Sequence, residues 1–103
     1  MVITTEKIRE KVERFIETTG KFNGVGSGFT EKQALMLLNP DTREHVIQIS
    51  ISILGTKWEV GPGGGGFVEA IVNNDLMGSF GRADQVNREF IGFYCSLLYN
   101  VGI

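Results

Sequence analysis

The chain has 103 residues, of which 42% are hydrophobic and 21% charged, with a formal net charge of −2. That length and balance describe one globular domain, 1–103, able to bury a core without a disulfide or metal staple. A slightly acidic chain has no basic field for general nucleic-acid binding, and the single cysteine, Cys95, excludes an internal disulfide. The opening "MVITTEKIREK" has no apolar signal-peptide core, and the longest apolar-rich run, "FIGFYCSLLY", is too short to span a bilayer. A cytoplasmic protein without a membrane segment is expected.

The first element is an amphipathic helix over about 5–19. Ile8, Val12, Phe15 and Ile16 share one face, and charged residues fill the other. Thr4 suits the N-cap, with Ile3 and Ile8 placed as a hydrophobic staple, and Gly20 suits the C-terminal stop. "GKFNGVGSGF" then reads as a glycine-rich loop.

"TEKQALMLL" carries conflicting signals. Thr30 and Gln33 spell a capping box, whereas "NPDTRE" after it reads as a turn between two apolar runs. The hairpin reading predicts a strand over 32–39. In "HVIQISISIL", Ile47, Ile49, Ile51 and Ile53 recur at every second position with Gln48, Ser50 and Ser52 between them. Period two predicts a strand with one covered face. "KWEV" and "FVEAIV" read as further strands on either side of "GPGGGG".

The closing segment predicts a helix over about 85–100 with Asp84 as N-cap. Val86, Phe90, Phe93, Tyr94 and Leu97 make a wide stripe, and Ile91, Cys95, Leu98 and Tyr99 carry apolar cover around most of the circumference. Such a helix must be covered on more than one side, by the first helix or by a second copy of the chain. Gly92 and Ser96 would admit a close neighbour, so a homo-oligomer through this helix is expected. The fold class expected is α+β: an antiparallel sheet of three to four strands with the N-terminal and C-terminal helices on one face.

No catalytic motif is met. Gly61, Gly63 and Gly66 spell G-x-G-x-x-G, but "FVEAIV" is β-favouring and too short for the helix that a dinucleotide needs. A P-loop fails because Phe67 and Val68 replace Lys and Ser/Thr. Ser27 and Ser79 lack the first glycine of a nucleophile elbow. His45 is the lone histidine, so no zinc site of usual composition exists, and neither a metal nor another cofactor is expected. Glu59 and Glu69 flank the glycine run as solvated carboxylates.

Glycine-rich backbone can nonetheless approach a ligand closely or form an anion-binding nest. Gly63, Gly64 and Gly65 are candidates for this role, together with Ser79, Phe80, Gly81 and Arg82 ahead of the final helix. Arg82 would sit where a helix N-terminus disfavours a cation, a conflict that an anion would resolve. The expected function is non-enzymatic binding of a small phosphorylated, nucleotide-like ligand by a homo-oligomer. The alternative is a protein-interaction module, such as an inhibitor, adaptor or assembly subunit, with no small-molecule ligand.

Overall fold

The computed structural model describes residues 3–21, 28–61 and 63–102. Among them there is no strand; seven helices account for the regular structure. They are α1 (Thr5–Lys21), α2 (Glu31–Leu37), α3 (Pro40–Lys57), α4 (Gly66–Val72), α5 (Leu76–Arg82), α6 (Gln85–Glu89) and α7 (Ile91–Asn100). The expected α+β fold and its antiparallel sheet are therefore overturned, and every predicted strand lies in a helix or a helix end.

The largest correction is α3. Its fully buried apolar residues are Val46, Ile47, Ile53 and Leu54, with Ser50 buried between them. Their spacing is i, i+1, i+4, i+7 and i+8, a helical stripe. Ile49 and Ile51 fall on its half-buried flanks. Alternating isoleucines mimic period two because Val46, Ser50 and Leu54 occupy the even positions that a strand would turn outward. Ser50 is tolerated inside because its hydroxyl donates to the Val46 carbonyl at 2.7 Å. The β-branched preference for strands costs a helix only a few tenths of a kcal/mol per residue. Burying one isoleucine side chain contributes about 1.5–3 kcal/mol. Tertiary burial wins.

The supposed hairpin turn is a helix start. Asn39 caps α3, its Oδ1 accepting from the N–H groups of Asp41 (2.9 Å) and Thr42 (3.4 Å), and Pro40 occupies the first helical position. Residues 32–39 likewise follow the capping box rather than the strand. Thr30 Oγ1 accepts from Gln33 N–H at 3.0 Å, and Gln33 Oε1 accepts from Thr30 N–H at 3.0 Å. "KWEV" is the end of α3 and its exit. Val60 N–H donates to the Gly55 carbonyl at 2.8 Å and Glu59 N–H to Thr56 at 3.3 Å, with Glu59 left-handed at φ 58°. That is a Schellman turn. "FVEAIV" forms most of α4, which buries Phe67, Val68, Ala70 and Ile71.

The terminal helices form near the expected bounds, with two differences. Gly20 lies inside α1, which runs on to Lys21. The C-terminal helix is split at Phe90 (φ −103°, ψ 11°) into α6 and α7. Gln33 Nε2 donates to the Glu89 carbonyl at that break, at 2.9 Å. Asp84 caps α6 as expected, its Oδ1 accepting from Asn87 N–H at 2.7 Å.

The central element is α3, which touches α1, α2, α4, α6 and α7. One core cluster joins Ile8, Val12 and Ile16 of α1 to the buried face of α3, to α4, and to Phe90, Phe93, Tyr94 and Leu97. Aromatic edges stitch it: Phe15 to Phe93 at 5.6 Å and Phe67 to Tyr94 at 5.8 Å between ring centres. Beneath them the Tyr94 hydroxyl donates to Asn87 Oδ1 at 2.9 Å, and burial pushes its ionisation well above the usual phenol range. Of the apolar circumference of α7 that the sequence assigned to a neighbour or a second copy, Ile91, Phe93, Tyr94 and Leu97 are covered by contacts that include α3, α4 and Phe15 of α1, whereas Cys95 and Tyr99 are not. Its outward strip is Gly92, Cys95, Ser96 and Tyr99, so Cys95 is an exposed thiol and not a core residue.

Candidate functional site

The expected ligand residues fall on two neighbouring stretches. Gly63 is exposed, Gly65 is the N-cap of α4, and Gly64 N–H donates to Thr56 Oγ1 at 3.1 Å. A Cβ on Gly64 would overlap Val68, so this glycine serves close packing against α4. Its amide is spent on α3 and is not free for an anion. Ser79 is buried, and its hydroxyl donates to the Asp75 carbonyl at 2.7 Å, which removes it as a nucleophile. Ser27, the other serine considered, lies outside the described residues.

Arg82 is brought to the glycine run. A Cβ on Gly66 would stand 2.9 Å from Arg82 Cδ and 3.1 Å from its Nε. The two residues line a shallow pocket of about 230 Å³ together with Glu69, Asn73 and Asp75. Two carboxylates against one guanidinium make this a poor place for a phosphate. The dipole conflict that suggested an anion also disappears. "GSFGR" is helical, so Arg82 stands in the last turn of α5, where a cation is favoured. The nucleotide-binding, glycine-loop reading therefore loses its support. The helix that a dinucleotide motif needs does begin at Gly66, but it follows a helix instead of a strand and is only seven residues long.

His45 also has a structural place. Its Nε2 stands 3.2 Å from Asp84 Oδ2, shielded from water and not aligned for a hydrogen bond. No hydrogen bond among the described residues joins it to a serine. The contact places α3 beside the cap of α6.

What the sequence did not suggest is the orientation of α5. Its one fully buried residue is Ser79, while Leu76 is 58% exposed, Met77 88% and Phe80 44%. Ser79 faces the body of the protein and the large apolar residues face out, so this helix is inside-out. Its neighbour is α4. Asp75 caps it, Oδ1 accepting from Gly78 N–H at 2.9 Å, and the Schellman turn through Asn74 (φ 59°) sets its direction after α4. Of these three, only Phe80 is among the ligand candidates that the sequence offers. The signal that could have found the rest is the pair Gly78-Ser79 between Met77 and Phe80, since a helix can pack closely only on its small residues.

Compared with protein-family models, with curated proteins and with solved structures, the chain finds no significant match. No helix among the described residues is long and apolar enough to cross a membrane.

Proposed function

We propose that this protein is a non-catalytic interaction module that inserts α5 into an apolar groove on a different protein. The observation that carries this reading is the outward ridge of Leu76, Met77 and Phe80. Their i, i+1, i+4 spacing is that of a helix offering anchors to a groove. No charged residue interrupts "LMGSFG", so the complementary surface is apolar. Three side chains supply far less than the roughly 800 Å² per partner of a stable interface. Two such ridges meeting face to face would not hold a dimer, whereas a groove wraps each anchor on several sides. A cytoplasmic setting belongs to the same proposal and is supported by the free, exposed Cys95 thiol.

A photo-crosslinking amino acid at Met77, introduced in the producing cell, tests this. The expected result is one crosslinked protein of different sequence, absent when the crosslinker sits at exposed Glu17. Leu76→Asp with Phe80→Asp should then weaken the purified pair at least tenfold while the thermal midpoint of this chain holds. Crosslinking no stronger than at Glu17, or only to a second copy, would remove the reading.

Self-association through α7 is a second reading, supported by Tyr99, which is 90% exposed on the outward strip. Sedimentation velocity at tens of micromolar decides it: a dimer dissociated by Tyr99→Glu supports it, and a monomer removes it.

A further inference from the structure

Away from α5, a cleft of about 600 Å³ opens between the C-terminal half of α1, residues 28–30, the start of α2 and the outward strip of α7. No residue of α5 lines it, so it is independent of the ridge. Its apolar wall is aromatic. Phe15, Phe29 and Phe93 stand around it, with Phe29 5.5 Å and Phe15 5.6 Å from Phe93 between ring centres. At these separations the rings pack on one another and form one continuous aromatic wall, against which a flat ring system can lie.

Among the described residues its polar wall is uncharged, with no Asp, Glu, Lys or Arg lining it. Most of that wall is also already engaged. Thr18 and Thr19 hydroxyls donate to the carbonyls of Arg14 (2.9 Å) and Phe15 (2.8 Å), and both ends of the Gln33 amide are bonded. The capacity that remains lies at one end. Asn100 Nδ2 donates to Ser96 O at 2.8 Å and Oγ at 3.2 Å, which leaves Asn100 Oδ1 accepting from no described residue. The Ser96 hydroxyl proton is likewise uncommitted among the described residues.

We infer that this cleft is a binding site for a neutral, flat aromatic small molecule with a single polar end directed at Ser96 and Asn100. The volume lies within the range of small-molecule pockets. A charged ligand would lose hydration there with no counter-charge among the described residues to replace it.

N-Phenyl-1-naphthylamine, a neutral fluorescent probe, and 8-anilinonaphthalene-1-sulfonate share one skeleton and differ by a sulfonate. The neutral probe should bind saturably with one site per chain at low micromolar concentration, and the sulfonate at least tenfold more weakly. Gly92→Phe should fill the cleft without disturbing the fold, because a Cβ there meets no atom within 4 Å. It should weaken the neutral probe at least tenfold at an unchanged thermal midpoint. Ser96→Phe is the second filler, should Gly92→Phe unfold. Gly81→Phe, equally open but on α5, should leave binding as it was. Asn100→Ala should cost about fivefold, the worth of one hydrogen bond. Equal binding of the two probes, or neutral-probe binding indifferent to both fillers, would overturn the assignment. A dimer dissociated by Gly92→Phe would give the cleft to a second copy and overturn it equally.

Discussion

At the scale of single residues, two positions show how local chemistry is set by neighbours. Glu59 occupies the left-handed C′ position of the α3 exit at φ 58°, where a side chain crowds its own backbone. Glu59→Gly removes that crowding at the cost of a looser unfolded chain. The expected net gain is roughly 0.5–1 kcal/mol, read as a higher urea midpoint. Tyr94 is the opposite case. Its buried hydroxyl is the partner of Asn87 Oδ1, and Asn87 is itself buried. Tyr94→Phe leaves that oxygen without a donor and should cost about 1–3 kcal/mol, visible as a lower thermal midpoint. Neither effect was legible in the sequence, since both depend on a chain reversal or a contact between separate helices.

Between elements, α1 and α3 are clamped by charge as well as by their apolar stripes. Arg9 donates two hydrogen bonds to Glu44, at 2.7 and 2.9 Å, and reaches Glu13 at 3.2 Å, while Gln48 Nε2 donates to Glu44 at 2.8 Å. The Arg9 hydrogen bonds, then that of Gln48, pull the Glu44 carboxyl down from 4.5 to about 2. The folded protein holds this proton less tightly than the unfolded chain does. The stabilisation from Glu44 is therefore complete above pH 4.5 and is lost as the pH falls toward 2. Arg9→Gln should flatten the fall of the urea midpoint across that interval and change little near neutrality, because exposed pairs contribute modestly. The caps make a second prediction at this scale. Asn39→Ala should destabilise by about 1 kcal/mol through the start of α3, which a hairpin turn at the same place would not require.

For the molecule as a whole, the arrangement around α3 separates residues that hold the fold from the exposed ridge of α5. Ile53 has no exposed surface and lies on the element touching five other helices. Ile53→Ala should cost about 2–5 kcal/mol. Met77→Asp, on the α5 ridge, should shift stability by no more than about 0.5 kcal/mol in either direction. A ridge that tolerates charge while the centre does not is a surface on which the fold does not depend. Far-ultraviolet circular dichroism should show a wholly helical spectrum, and a dominant β minimum would refute the architecture.

Read alone, the amino-acid sequence determined the amphipathic face of α1, the Thr4 and Asp84 caps and the apolar C-terminal helix, because each depends on residues within a turn or two of one another. It also contained the Thr30–Gln33 box and the Asn39-Pro40 start, whose chemistry serves a helix end and a turn alike. What only the tertiary structure decided was the middle of the chain and the direction α5 faces. Ile47 to Ile53 fit period two and a helical stripe equally well, and the choice fell to burial against five neighbouring helices. Helical propensity differs by tenths of a kcal/mol where burial differs by several, so the answer lay in contacts that no local window contains.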